Sequence, residues 1–190
     1  SPVNIIQAGY ADRPLVSGRG AYHTANPEAK RPKPYRSTSL AAIDQMIIDP
    51  KSRPKAKGQW VIYTDYTGEH ARSSDYLKDE MFLAAWADID EGDPSLEQVK
   101  LIIERLNTNF KIYSSRSAKA DNKKWRIIVA YSEPLDAQTH IIFMECLNDY
   151  LAEQGLIPDR VNQRLNQLCY LPNKGDFYQY HIENSKGANV

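Results

Sequence analysis

From Met81 to Pro172 the spacing of apolar residues switches between strand and helix four times, and that order of switches leaves few folds open. The mostly apolar run Phe82–Ala87 reads as a strand entering a core. Asp93-Pro94 then places a capping residue before a proline at the first helical position. Leu96, Val99, Ile102, Ile103 and Leu106 follow at helical spacing. The segments "NFKIYSSRS" and "KWRIIVAYS" read as two strands, joined by a loop short enough for an antiparallel hairpin. Asp136 caps a second helix, about 137–154, with Phe143, Leu147, Tyr150 and Leu151 inward and Gly155 at its C-terminal cap. "NQLCYLP" supplies a last strand, stopped by Pro172. The order β-α-β-β-α-β predicts an α+β, split-βαβ (RRM/ferredoxin-like) core centred on residues 81–90, with both helices on one face.

The chain before Met81 is less regular. Residues 1–37, rich in Gly, Pro and basic residues, read as an irregular arm tied down at aromatics such as Tyr10 and Tyr22. A domain over 38–190 follows, its core about 81–173. Ser39 is a helix cap, with Leu40, Ile43 and Ile47 at helical spacing behind it, and "QWVIYTDY" alternates as a strand. Residues 38–66 are therefore expected to form a flanking helix-strand unit that walls one side of a cleft. Between them the loop "DPKSRPKAKG" carries Lys51, Arg53, Lys55 and Lys57, four cations within seven residues. Such a loop can track a nucleic-acid backbone, or simply be solvated.

Composition narrows the partners. Lys+Arg and Asp+Glu are equal at 24 each in 190 residues, so any nucleic acid must be held by local patches rather than a global field. Cys146 and Cys169 make neither a disulfide framework nor a CxxC metal site and read as two reduced, buried thiols. No apolar run approaches the roughly 18 residues of a membrane span, and no secretory signal opens the chain. A cytoplasmic protein is expected, and Ser1-Pro2 reads as the start of a piece of a longer polypeptide.

The first core strand ends in Asp88-Ile89-Asp90, and this is where chemistry enters. Side chains at i and i+2 of a strand share a face, about 7 Å apart, so the two carboxylates point together and Ile89 points away. Like charges so placed need open water or a cation. Hard oxygen ligands of this kind suit Mg²⁺ or Mn²⁺.

The run "IYSSRSAKADNKKWRIIVAYSEPLD", a helix, and then "GLIPDRVNQRLNQLCYLPN" resemble the catalytic core of the archaeo-eukaryotic primase superfamily, in particular the primase-polymerase domains of phage and plasmid replication proteins. The resemblance covers about residues 81–173 and rests on the order and spacing of its motifs. It implies that Asp88, Asp90 and Asp159 hold the Mg²⁺ or Mn²⁺ ions of a two-metal site. It implies that Ser115, Arg116, Ser117 and Arg126 contact the phosphates of an NTP or dNTP substrate. The implied activity is DNA-templated nucleotidyl transfer, primer synthesis or extension, on a single-stranded DNA template in a bacterial or phage-infected cell. A helicase domain or subunit is a further candidate partner, and Lys51, Arg53, Lys55 and Lys57 are the candidate DNA contacts.

One departure from the family pattern matters. Relatives commonly end the second motif in a histidine, where this chain has Ser117 or Ala118, and its four histidines lie at 23, 70, 140 and 181. The phosphate ligand is then either missing or replaced by Arg116, a permanent forked cation. Arg126, aided by the serine hydroxyls, is expected to be the main phosphate ligand, with Arg116 joining if the strand ends or bulges before it. A plain surface position for Arg126 competes with that role. The alternative function is a catalytically inactive primase-like or RRM-like nucleic-acid-binding module.

Overall fold

In a computed structural model of the protein, residues 10–20 and 35–185 are described, and Tyr22 lies outside them. Among them the chain forms a mixed α/β architecture with two four-stranded antiparallel sheets and four α-helices. The first sheet takes β1 (Leu15–Arg19), β2 (Arg36–Thr38), β3 (Gln59–Ile62) and β7 (Cys169–Tyr170), in the order β2-β1-β3-β7. The second takes β4 (Met81–Ile89), β5 (Phe110–Ser114), β6 (Trp125–Asp136) and β8 (Tyr180–Glu183), in the order β4-β6-β5-β8. The helices are α1 (Leu40–Ile48), α2 (Ser74–Leu77), α3 (Leu96–Glu104) and α4 (Ala137–Glu153).

Capping chemistry fixes where the helices begin. The Ser39 side chain accepts from the Ala42 N–H and starts α1, whose Leu40, Ile43 and Ile47 are buried. Asp136 does the same for α4 through Thr139, and Gly155 ends it at φ +87°, a left-handed position suited to glycine. Helix α3 starts later than its Asp93-Pro94 signal. The Asp93 carboxylate is spent on the Lys123 N–H at 2.8 Å, so Ser95 takes over as cap, in a reciprocal box with Gln98. The inward face of α4 is also rotated. His140, Met144, Leu147, Asn148 and Leu151 are buried, while Phe143 is 49% exposed. Cys146 shares that outer side and is exposed, contrary to the expectation of two buried thiols; Cys169 is buried.

Two hydrogen bonds hold α3 beside α4: the Tyr150 hydroxyl donates to the Ile102 carbonyl, and Arg105 donates to Gln154. Helices that touch this way share one face of the second sheet. The other face meets the N-terminal unit, through a Lys111–Asp44 ion pair to α1 and a Tyr178 hydroxyl on the Ile47 carbonyl.

The arm read as irregular contains a buried strand, β1. The missing side chain of Gly18 lets the Trp60 ring pack against this strand: a Cβ would sit 2.3 Å from that ring. Tyr10 does anchor its segment, donating to the Leu83 carbonyl.

The last strand is the larger difference. In a split-βαβ sheet it would lie beside β4, but Cys169–Tyr170 pairs with β3 in the other sheet. Backbone and side-chain caps occupy the β4 edge instead. Thr64 bridges Phe82, Pro158 bridges Ile89, the Asp159 N–H donates to the Asp88 carbonyl, and Asn162 donates to the Trp86 carbonyl at 2.6 Å. A covered edge leaves no strand template exposed.

Candidate active site

Three residues lie in register across the second sheet: Asp88 on β4, Arg126 on β6 and Tyr113 on β5. Partners in register share a face, so all three project from the side away from α3 and α4. The Arg126 guanidinium grips both Asp88 oxygens, Nε to Oδ1 at 2.6 Å and Nη2 to Oδ2 at 3.0 Å. Its Nη1 donates to the Tyr170 carbonyl at 2.6 Å, which also accepts from the Tyr113 hydroxyl at 2.6 Å. Trp86 and Tyr113 flank the cation, with ring centroids 5.8 and 6.0 Å from its central carbon. The side chains of Arg126 and Asp88 are 10% and 14% exposed. Arg126 is therefore not a surface residue. Burial is the largest single influence and works against its charge, but Asp88, Tyr113 and Cys169 together outweigh it, and the pKa ends up raised.

A cleft of about 340 Å³ opens over this row. Asp88 and Asp90 form one side of it, while Ser115, Arg116, Ser117 and Lys124 come from the β5–β6 hairpin, and Lys55, Leu171 and Asn173 from the N-terminal unit and the β7 segment. The strand β5 ends at Ser114, and Ser115 to Ala118 form a turn closed by the Ala118 N–H on the Ser115 carbonyl. That turn releases Arg116 from strand alternation, and its Nη1 donates to the Lys174 carbonyl at 2.8 Å. The Ser115 hydroxyl is buried and has no hydrogen-bond partner. Most buried hydroxyls are paired, so an unpaired one on a cleft wall is a ready contact for a polar ligand.

Asp90 carries the electrostatic signature of the cleft. Its pKa is raised first by burial and then by Asp88, against the opposing pull of Arg126 and Lys124. Asp159 also raises it, but does not line the cleft: its carboxylate caps the Val161 N–H and is exposed. Asp88, Asp90 and Asp159 do not form a trio of donors within 4.8 Å of one another; among the described residues only Glu104, His181 and Glu183 do. Asp88 and Asp90 both line the cleft; Asp159 bonds the Asp88 carbonyl through its backbone N–H, and its carboxylate charge is felt at Asp90.

The four basic loop residues separate. Lys55 lines the cleft, and Lys57 lines neither this cleft nor its neighbour. Lys51 and Arg53 line the neighbouring cavity of about 330 Å³ together with Arg19. Gly58 and Asn173 belong to both cavities, so the two adjoin. The Arg19 pKa is lowered by loss of water and then by nearby Arg53 and Arg36, the mark of crowded positive charge.

No protein-family model and no curated protein matches the chain. Among solved structures, the AEP domain of the cyanophage S-2L primase-polymerase is similar, with a TM-score of 0.48 at 13% identity, over 89% of this chain and 80% of that one. That likeness decides nothing about chemistry, which has to come from the cleft.

Among the cleft residues that the sequence did not single out, Lys124, Tyr113 and Tyr170 contribute polar groups. Lys124 lies two residues before Arg126, so strand alternation alone puts both on one face. Tyr113 stands in the same relation to Ser115 but reads as core, and it is indeed buried. The Tyr170 carbonyl had no signal, because a backbone acceptor leaves none in a side-chain pattern. No described helix is long and apolar enough to cross a membrane.

Proposed function

We propose that the cleft performs DNA-templated nucleotidyl transfer, primer synthesis or extension, as a primase-polymerase of the archaeo-eukaryotic primase superfamily. The β4-β6-β5 arrangement with α3 and α4 on one face is read as a split-βαβ core whose fourth strand has been recruited elsewhere. One observation carries the proposal: a carboxylate pair on one strand faces, across a single cleft, a wall of cations and an unpaired serine hydroxyl.

The donor set fits Mg²⁺ or Mn²⁺. Asp88 and Asp90 offer hard oxygens, and the Asp90 carboxylate, disfavoured first by burial and then by Asp88, is one that a bound cation would stabilise. What a bound divalent ion supplies there is Lewis acidity toward a phosphoryl oxygen and a more acidic hydroxyl nucleophile. Asp159, whose Oδ1 caps the Val161 N–H, keeps its second oxygen for a cation in this reading.

The chain's own residues do the rest. Arg126 orients Asp88 and balances its charge, so phosphate recognition falls to Ser115, Ser117, Arg116, Lys124 and Lys55. Ser117 or Ala118 stands where relatives carry histidine, and the turn position of neighbouring Arg116 supports its taking over the phosphate contact. Lys51, Arg53 and Arg19 extend the positive surface into the adjoining cavity, where a single-stranded template backbone fits by charge. A helicase partner and a cytoplasmic setting belong to the same reading.

A second reading has one specific support. Arg126 already holds both Asp88 oxygens, as it would in an inactive nucleic-acid-binding module. The test is primer synthesis and extension on single-stranded DNA with Mg²⁺ or Mn²⁺, comparing the parent with Asp88→Ala. Metal-dependent product that Asp88→Ala abolishes supports the enzyme. No incorporation with either metal, while single-stranded DNA still binds, supports the module.

A further inference from the structure

We propose that Glu104, His181 and Glu183 bind a divalent transition-metal ion, with zinc the best match to their donors, and that the ion ties the outermost strand β8 to helix α3. The inference is independent of the function proposed for the cleft. His181 and Glu183 alternate on β8 and so share a face; in register on β5 they oppose Ile112 and Phe110. Glu104 is the last residue of α3 and comes down on them from the helix layer. Since Tyr113 lines the acidic cleft, its neighbour Ile112 points to the opposite face, and His181 with it. The two sites lie on different sides of the sheet.

The geometry is that of a site needing little closure. One donor atom from each of the three residues lies within 4.8 Å of the others, and the His181 Nε2 is 3.7 Å from a Glu183 oxygen. Bonds of about 2.0–2.2 Å place neighbouring ligands roughly 3–3.5 Å apart, so glutamate rotamers need to gather the donors by about 1 Å.

Three further observations point to a ligand rather than to a loose cluster of side chains. The His181 Nε2 is buried and makes no hydrogen bond, a rare state for an imidazole nitrogen. The ring leans on Phe110 at 5.6 Å between centroids, which limits its turning. Ser185 donates its N–H and hydroxyl to Oε1 of Glu183, while Oε2 is the oxygen nearest His181. Support of that kind orients metal ligands. Lys100 approaches Glu104 only at 3.9 Å and leaves it free to turn.

The donor chemistry selects the ion. One imidazole and two carboxylates suit zinc and its neighbours, whereas Mg²⁺ prefers oxygen alone in octahedral geometry. The competing description is a protonated His181 in a plain ion pair with the glutamates, and a titration separates the two. A bound ion would also steady the chain leading back to the cleft, because Gln179, next to β8, exchanges backbone and hydroxyl bonds with Ser114.

The test uses the whole chain after chelator treatment, titrated calorimetrically with Zn²⁺ in excess Mg²⁺, with native mass spectrometry for stoichiometry. Expected is one Zn²⁺ per chain with micromolar or tighter affinity. His181→Ala should weaken it about 100-fold, and Asp88→Asn should leave it unchanged. The imidazole ¹⁵N resonance of His181 should shift on Zn²⁺ addition. Should His181→Ala fold poorly, Glu104→Gln, at a helix end, gives the same readout. Absent or merely millimolar binding overturns the proposal. So does binding that survives both substitutions, or binding that Asp88→Asn removes instead.

Discussion

Replacing Arg126 by methionine asks whether this cation belongs to Asp88 or to a substrate. The substitution removes both bonds to the Asp88 carboxylate and the Nη1 bond to the Tyr170 carbonyl. The carbonyl keeps its Tyr113 donor, so the loss falls mainly on the ion pair. Deleting one partner of a buried pair costs about 3–5 kcal/mol, because the other charge is left without compensation. Asp88 borders an open cleft and can regain some water, which puts the cost near the lower end, about 3 kcal/mol. For a chain of this length that lowers the melting temperature by roughly 6–12 °C. Asp88→Asn should cost a similar amount by stranding the guanidinium. The double variant should recover about 2–3 kcal/mol of the summed losses, the signature of coupled neighbours. Urea unfolding followed by circular dichroism reads all four proteins, provided the slope stays constant. A single-variant loss under about 1 kcal/mol, or additivity within about 0.5 kcal/mol, refutes the pairing. Weaker nucleotide binding at unchanged stability in Arg126→Met would return the residue to phosphate recognition.

Two other outcomes follow from the same structure. Burial pushes the His140 pKa down to about 3, so the unfolded chain takes up a proton near the usual value of about 6.5 while the folded one does not. Stability is then full above pH 6.5 and lost as pH falls toward 3, by about 2 kcal/mol at pH 5; His140→Gln should flatten that slope in pH-dependent melts, and an unchanged slope removes His140 as its source. Gly175→Ala would set a Cβ 2.1 Å from the Arg116 carbonyl oxygen, so the hairpin turn and the 173–176 segment must part. A loss of about 1–3 kcal/mol is expected, read as a lower urea midpoint, and no loss would mean that the contact yields freely.

The sequence made the second sheet legible where elements are local. Ser39, Asp136 and Gly155 announced their helix ends because a cap acts within four residues of itself. Asp88 and Asp90 announced their shared face because strand alternation is equally local, and both line the cleft. What could not be read was long-range. The partner of Cys169–Tyr170 is chosen by packing against Trp60 and Val61, more than a hundred residues earlier. Asp93 looked like a cap until Lys123, thirty residues on, claimed its carboxylate. The pairing of Asp88 with Arg126 needed the register of two strands, and no single-strand pattern contains that.

Strand β7 is only two residues long, yet it belongs to one sheet through Trp60 and Val61 while its Tyr170 carbonyl is gripped by Tyr113 and Arg126 of the other. Opening the molecule between its sheets would have to break both of those bonds in one event, and would strand the Asp88 charge if Arg126 moved with β7. The sheets are thereby denied separate local openings. Deep amides of β3 and β6 should exchange with solvent at a common free energy, that of global unfolding, as one cooperative unit rather than two.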